Sequence, residues 1–473
     1  MSAILHQTIS LQKGYGEEVN QTWLDMANNV NVPRAASGIT REYENMPNNI
    51  TVKQADVALM SYPWSYTQDY SLEQKRTDLE FYTQKQNPDG PAMTYAINAI
   101  VENRIAESGC AAYTYHHKAT MPYLRAPWLL MSEVPNDDVN GNGGVPPAFP
   151  FVTGHGGAAQ IPLFGFLGLD LTQDDLTIQP SLPFPYDHLS LPVFYFQGGR
   201  FKAVMNSTHT TLARLPSENT STIHDVYAGR PMPVIVGSSG GRREQEFHNI
   251  SVGDTLAIAN DMYWKIPSTG GNIAQCLPTY SETDSVLGCS PGAAIDGGGS
   301  TRWQPKTTNR TSLIIDMSSV QFQKVSKINL DWGARPAKFA RVAFTNTTVS
   351  KSLSAYSTSD FYDAYEGHLV DLGNIQPSQP YHDFNRDSPV PYVGNVTTHD
   401  VDNTWVHRNK NILKPLPVYT GKYAILEIEG CRGCGSMNSW TGGEGTTFNP
   451  QENTFGATVA EFEIIGLDGS RVD

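Results

Sequence analysis

The sequence predicts a multidomain protein in which a helical region, residues 1–170, precedes two β regions, residues 171–265 and 274–473. Apolar residues recur at helical spacing before Asp170. After it, short runs punctuated by proline alternate apolar and polar residues, which is typical of strands. A Ser/Gly stretch, PSTGGN, separates the two β regions. The chain of 473 residues is long enough for roughly two to four domains.

Several segments of the first region carry helix signals. Ser71 and Gln74 begin SLEQKRTDLEFYTQKQ in the pattern of a capping box. The segments EEVNQTWLDMANN and AMTYAINAIVENRIAES each place their apolar residues on one helical face. RAPWLLM, residues 125–131, and the apolar segment that follows the next Gly/Asn/Pro loop both predict buried helices. In the last region, TSLIIDM, VSKINLDW, FARVAFT, YAILEIEG and ATVAEFEIIG predict strands.

The charge and hydropathy pattern excludes several classes of partner. The net charge is -14, from 33 basic and 47 acidic residues without basic clusters, which argues against nucleic acid and anionic membranes and favours a neutral ligand. The longest apolar stretch is interrupted by Pro162 and ends at Asp170, so no transmembrane segment is predicted. No signal peptide is found in these residues, and a small excess of N-glycosylation sequons slightly favours secretion.

The five cysteines predict two short-range disulfides. Cys276 and Cys289 bracket a short loop, and Cys431 and Cys434 form CRGC, which leaves Cys110 over. A turn closed by a disulfide is favoured over a redox motif for CRGC, because no βαβ pattern surrounds it.

Sequence motifs do not support a metal or a cofactor. DVNGNG imitates the first half of a calcium loop, but Phe149 stands where the bidentate glutamate is needed. His116, His117 and His155 lack a zinc-binding spacing. TGHGGAA and GSSGGRRE are glycine-rich without the Lys-Ser/Thr of a phosphate loop, so tight turns are predicted there.

Two polar features remain as candidate functional residues. Lys53 and Gln54 stand side by side before an apolar segment, where their donors suit sugar hydroxyls, although an ordinary polar helix start explains them equally well. Glu133 stands where the apolar RAPWLLM segment stops. It is either a helix-end acid bonded to backbone amides or a catalytic carboxylate.

Several motifs in order along the chain resemble a known family. KQADVALMSYP, KQNPDGPAMTYAINAI, SGCAAYTY, PYLRAPW and PAFPFVTGHGGAAQIPLFGFLGLDL resemble the fungal acid trehalases of glycoside hydrolase family 65, most densely over about residues 5–200. The resemblance implies a partial all-α (α/α)6 barrel over residues 1–170 and a small β-sandwich cap over residues 171–265. AAIDGGGSTRWQP resembles a discoidin-type β-sandwich, the coagulation factor 5/8 type C domain, over residues 274–473. Such domains often bind glycans or surfaces, so a cell-wall glycan is an expected partner.

The resemblance also implies an activity. Family members of this kind hydrolyse α,α-trehalose to two glucoses with inversion, which needs a general acid and a general base. Glu133 matches the general base, and Lys53 and Gln54 match the residues that hold glucose. The segment that carries the general acid precedes the residues matching the start of this chain, so the chain is expected to lack it and to be inactive alone. An extracellular, cell-wall or vacuolar location is expected.

Two alternatives stay open at this point. One is another family 65 hydrolase or a phosphorylase acting on an α-glucoside, which would differ in its requirement for phosphate. The other is a non-catalytic carbohydrate-binding protein that relies on its discoidin-like region.

Overall fold

The computed structural model describes residues 2–35, 38–46, 52–66, 69–86, 90–139, 144–217, 224–238, 241–266, 271–298, 300–333, 336–375, 410–413, 418–431 and 455–467. In its described residues, the first region contains six α-helices: α1 (Ser2–Gly14), α2 (Gln21–Asn29), α3 (Leu72–Lys85), α4 (Thr94–Ile105), α5 (Ala111–Thr120) and α6 (Val152–Gln160). A 3₁₀ helix covers Val57–Met60, and α6 continues into a π-helical turn, Ile161–Phe166. No helix in the described ranges has the length and apolarity needed to cross a bilayer.

Side-chain caps fix where two of these helices begin. Asn20 accepts a hydrogen bond from the backbone amide of Thr22 at the start of α2. Ser71 accepts one from the backbone amide of Gln74 at the start of α3, as the sequence predicts. The capping box is only half formed, because the Gln74 side chain donates to Asp78 instead of the cap backbone.

The prediction of a buried helix for RAPWLLM is wrong. The segment forms a β-hairpin of β1 (Leu124–Arg125) and β2 (Leu130–Met131), whose turn leaves Trp128 81% exposed. Pro127 explains the difference, because proline lacks an amide hydrogen and clashes with a preceding helical turn.

The prediction of a tight turn for TGHGGAA is also wrong, because the segment lies in α6. A Cβ atom on Gly154 would lie 2.9 Å from Ala92 Cβ and Met131 Sδ, and one on Gly157 would lie 3.1 Å from Ala96 Cβ. The glycines therefore allow α6 to pack closely against the start of α4.

The second region forms two small sheets over the residues that the structure describes. Its strands are β3 (Leu176–Ile178), β4 (His188–Phe196), β5 (Gly199–Asn206), β6 (His209–Leu215), β7 (Met232–Val236), β8 (Glu246–Ile250) and β9 (Thr255–Ala259). One sheet has the order β3-β7-β8 and the other β4-β5-β6-β9, with β3 and β7 parallel and all other neighbours antiparallel. Buried residues of α4, such as Ile100, belong to the same apolar core as Phe201 and Val234 of these strands. The helices and this β region therefore share one core.

The third region has a core of its own between two sheets. Its strands are β10 (Thr279–Ser281), β11 (Thr311–Asp316), β12 (Val325–Asp331), β13 (Phe339–Thr345), β14 (His368–Asn374), β15 (Lys410–Leu413), β16 (Tyr423–Glu429) and β17 (Glu461–Gly466), and α7 spans Thr358–Tyr365. The sheets have the orders β10-β11-β16-β13-β14 and β15-β12-β17. Trp303, Trp332 and Phe462 are fully buried between them. The five predicted strands of this region are confirmed.

A disulfide joins the helical region to the third region. It links Cys110 with Cys276, which lie 166 residues apart with Cα atoms 6.0 Å from each other. The predicted Cys276–Cys289 bridge is therefore wrong, and Cys289 is buried as a free thiol. Sequence spacing favoured the nearer cysteine, whereas folding brings the distant one within bonding range. Cys431 is disulfide-bonded, and Cys434 lies outside the described residues.

Candidate functional site

Glu133 directly follows β2 and is half-buried. Its backbone amide donates to Ala148 O at 3.0 Å, and its backbone carbonyl accepts from Ala92 N at 2.8 Å. One carboxylate oxygen, Oε2, accepts from Ala148 N at 3.1 Å. Among the described residues, no hydrogen bond reaches the other oxygen, Oε1. The acid is thus bonded to a backbone amide, although not at a helix end, and one oxygen remains open to a ligand or water.

The surroundings of Glu133 are apolar and exposed. We call the set of Trp128, Leu129, Glu133, Phe149 and Val152, which lie on the two segments joined by the Glu133–Ala148 backbone bond, the Glu133 surface. Its four apolar members are all exposed, although three of them are aromatic or large aliphatic residues that usually pack in cores.

The chain on either side of Glu133 is held in place. Arg125 donates to Val134 O and Pro135 O, both at 2.9 Å, and forms an ion pair with Asp137. Hydrogen bonds from Arg125 and Ser132 lower the pKa of Asp137. On the other side, His155 Nε2 accepts from Met131 N at 2.9 Å. These contacts keep the Glu133 backbone in one position.

Lys53 and Gln54 lie in a turn before the 3₁₀ helix. Lys53 is exposed, and the half-buried Gln54 donates through Nε2 to Asp56 Oδ1 at 3.2 Å. In the described part of the chain, no hydrogen bond joins either residue to Glu133. The segment 86–92 connects the Lys53–Gln54 turn with Glu133. Val52 forms a β-bridge with Gln86, and the backbone carbonyl of Glu133 accepts from Ala92 N. The ends of that segment are at most about 20 Å apart.

Sequence reasoning gave no reason to single out Glu42. Glu42 is half-buried in the structure. Burial, together with the negative charge of Asp56, raises the pKa of Glu42 to about 7. A carboxyl group with this pKa stays protonated in mildly acidic solution and can act as a proton donor. Only tertiary burial distinguishes it from Glu17 and Glu18, and no local pattern carries that signal.

Metal binding finds no support in the described residues. They contain no group of three or more His, Cys, Asp or Glu side chains placed to hold an ion. Asp138 of DVNGNG is described, whereas Asn140 and Asn142 lie outside the described residues.

Carboxylates are the acid and base groups of most glycoside hydrolases, and Glu133 offers one whose Oε1 takes no hydrogen bond from the described residues. The chain is 34% identical over 475 residues to "Acid trehalase" of Emericella nidulans, covering 98% of this chain and 42% of the relative. It is 35% identical over 463 residues to "Cell wall acid trehalase" of Arthroderma benhamiae, covering 95% and 42%. The chain is therefore a homologue of the fungal acid trehalases, as its motifs predicted. It spans about two fifths of the length of these relatives.

Two further comparisons add little. No protein-family model matches the chain. A solved structure, "Putative kojibiose phosphorylase from human microbiome", matches with 14% identity and a TM-score of 0.29 over 45% of this chain and 25% of that one, which is too low to carry an argument.

Proposed function

We propose that this chain serves the inverting hydrolysis of α,α-trehalose to two glucoses, with Glu133 as the general base. The observation that carries the proposal is the state of the Glu133 carboxylate. One oxygen is fixed by Ala148 N, and the other has no hydrogen bond within the described ranges. The homology to proteins named acid trehalases supports the choice of substrate.

The geometry suits proton acceptance from water. In an inverting glycosidase, the base removes a proton from the attacking water while an acid protonates the glycosidic oxygen, with the two carboxyl groups about 6.5–9.5 Å apart. The amide of Ala148 orients Oε2, so that Oε1 can accept the proton of water above the exposed aromatic surface.

Lys53 and Gln54 are assigned to the glucose site. The exposed Lys53 ammonium and the Gln54 amide offer several donors to sugar hydroxyls. Asp56 accepts from Gln54 Nε2 and keeps that amide oriented, which leaves the amide oxygen free to accept from a hydroxyl. Lys53→Ala is expected to weaken trehalose binding at an almost unchanged melting temperature, because an exposed side chain contributes little to stability.

The deciding experiment follows trehalose by NMR of the anomeric protons in acidic buffer, with and without phosphate. It compares the 473-residue chain, which is expected to be inactive alone, with a full-length protein that contains these residues. Hydrolysis with inversion releases α- and β-glucose initially in equal amounts and without need of phosphate. Formation of glucose 1-phosphate only in the presence of phosphate would instead assign a phosphorylase. Turnover of trehalose that Glu133→Gln leaves unchanged would contradict the role of Glu133.

We also propose the finer fold assignment. Residues 1–170 would be part of an (α/α)6 barrel, residues 171–265 a β-sandwich cap and residues 274–473 a discoidin-like β-sandwich. The helices α3 to α6 and the two facing sheets of the last region support it. We also propose an extracellular, cell-wall or vacuolar location, because the relative from Arthroderma benhamiae is named a cell wall enzyme.

Glycan binding by the third region is a second proposed function, favoured by exposed rings. Phe322, which is 68% exposed, stacks on the 40% exposed Tyr419 with ring centroids 5.4 Å apart and planes 7° apart. The His368 ring lies 5.9 Å from that of Tyr419. Aromatic faces of this kind can stack on the apolar face of a sugar ring.

Sedimentation with insoluble fungal cell-wall glucan tests this second function. Phe322→Ala should reduce the bound fraction several-fold, whereas Tyr195→Ala, which removes an exposed ring from β4, should leave it unchanged. Equal binding by both variants would show that Phe322 and Tyr419 do not form the glycan site.

A further inference from the structure

A polar cavity lies where α3 and α4 meet the second region. Its volume is about 140 Å³, and its lining includes Ser61, Lys75, Arg104, Asp170, Gln179 and Ser238. This volume is roughly ten times what a single water molecule needs, so the cavity can hold a small ligand. None of the described lining residues belongs to the Glu133 surface or to the Lys53–Gln54 turn.

Two cations face this cavity. Arg104 is held by hydrogen bonds from Nε to Phe164 O at 3.2 Å and from Nη2 to Leu169 O at 2.8 Å. Lys75 is half-buried, and within the described residues its ammonium forms no hydrogen bond or ion pair. Burial and the nearby Arg104 charge lower the pKa of Lys75, whereas the negative charge of Asp170 opposes this shift.

One carboxylate balances only part of this positive charge. Asp170 Oδ1 accepts from the backbone amide and hydroxyl of Thr172 at 2.9 and 2.7 Å, and Oδ2 accepts from Ser65 Oγ at 3.2 Å. Its lone pairs are thus largely used by hydroxyl and amide donors. With two cations and one carboxylate, the three charged lining residues carry a net charge of about +1 at neutral pH.

The lining chemistry favours an anion over a sugar. Hydroxyl, amide, ammonium and guanidinium groups dominate, and Leu72 and Ile105 are the large apolar side chains of the described lining. No aromatic ring is found among those residues, whereas sugar sites usually offer one. A compact oxyanion accepts hydrogen bonds on all sides and neutralises both cations.

We propose that this cavity binds one small tetrahedral oxyanion of the inorganic phosphate or sulfate class between Lys75 and Arg104. The anion contacts residues of α3, of α4 and of the region that holds the sheet β3-β7-β8. Because it binds the folded chain, it raises the free energy of unfolding. The proposal does not depend on the activity assigned to Glu133, because the two sites share no described residue.

The test measures thermal unfolding of the 473-residue protein in rising phosphate, with sodium chloride keeping the ionic strength constant. Saturable binding should raise the melting temperature by about 2–4 °C at tenfold excess over the dissociation constant. Sulfate should act in the same way and glucose should not. A rise that chloride reproduces, or one that never saturates, overturns the proposal.

Three variants make the test specific. Lys75→Met should abolish the phosphate response, whereas Lys202→Met, which removes an exposed lysine from β5, should keep it. Asp170→Asn retains the acceptor for Thr172 but removes the opposing charge, so it should tighten phosphate binding about tenfold. If Lys75 is only structural, Lys75→Met lowers the melting temperature without phosphate but leaves the response to phosphate intact, and the proposal is wrong.

Discussion

Two acidic residues, Asp296 in the third region and Glu133 in the first, lie in opposite surroundings. Asp296 is fully buried, and its Oδ1 accepts from Gly298 N and Thr301 Oγ1, both at 2.8 Å. Glu133 is half-buried, accepts from one backbone amide and lies beside exposed aromatic residues.

The difference separates a structural acid, Asp296, from Glu133, which we propose to be reactive. Asp296 also contacts the helical region through its backbone, because Asp296 O accepts from Cys110 N at 2.7 Å. A buried group with such bonds is costly to disturb, so Asp296 stabilises the contact between the two regions. The open oxygen of Glu133 contributes little to stability and remains available for chemistry. Substitutions at the two places should therefore affect different measurements.

The largest expected effect is catalytic. Glu133→Gln keeps the acceptor for Ala148 but removes the proton-accepting charge. In a full-length protein that contains these residues, kcat on trehalose should therefore fall by about 10²–10⁴-fold with little change in KM. The melting temperature should stay close to that of the parent chain. Glu18→Gln, which changes an exposed acid in front of α2, is the matched control. Near-normal turnover in Glu133→Gln would move the base elsewhere.

Next in size is the disulfide between the regions. Cys110→Ala opens the 166-residue loop, and the chain-entropy model puts the lost stability at up to about 5 kcal/mol. Cys289→Ala removes a buried free thiol and should cost only about 1 kcal/mol. Denaturant unfolding measures both. Equal effects would mean that the Cys110–Cys276 link contributes nothing beyond packing.

The close approach of the two regions gives a third prediction. Gly109 has φ +92°, and a Cβ there would overlap with Asp296 O. Gly253 has φ +91° and no atom within 4 Å of its Cβ position. Gly109→Ala should therefore destabilise the protein by about 1–3 kcal/mol more than Gly253→Ala, because only the first adds overlap to backbone strain. Equal melting temperatures in the two variants would contradict this tight contact.

Local patterns predicted much of the fold. The strands β11, β12, β13 and β16 carry continuous apolar or alternating residues, a signal that each segment contains by itself. The cap at Ser71 also needs only its neighbours. RAPWLLM failed because its apolar composition suits a helix, whereas Pro127 and the pairing of Leu124 with Met131 produce a hairpin.

The remaining errors depended on distant contacts. The partner of Cys276 lies 166 residues away, so no spacing rule could select it. Glycines of TGHGGAA look like turn residues until α4 is seen packed against them. At the candidate site, the sequence could name Glu133 but not the bond from Ala148 or the burial of Glu42, since both arise from tertiary packing.

The smallest effect concerns pH and the acids near Asp296. Burial and the negative charge of Asp296 raise the pKa of Glu102 to about 8, with Glu80 adding to the rise and Arg242 and Arg76 opposing it. Burial also raises the pKa of Asp296 itself. A carboxyl group whose pKa is higher in the folded state binds its proton more tightly there. The free energy of unfolding should therefore fall as the pH rises from about 4.5 to about 8.

The titration of Lys118 has the opposite effect on the free energy of unfolding, but only above about pH 7. Burial lowers its pKa to about 7, so its contribution to stability grows as the pH rises beyond that value. Glu102→Gln keeps the size of the side chain and removes its titration, so it should flatten the decline between about pH 4.5 and pH 8 by about 1–3 kcal/mol. Glu107→Gln, an exposed acid nearby, should leave the slope unchanged. Thermal unfolding across this range decides the matter, because an identical slope in Glu102→Gln and the parent chain would show that Glu102 is ionised in the folded protein.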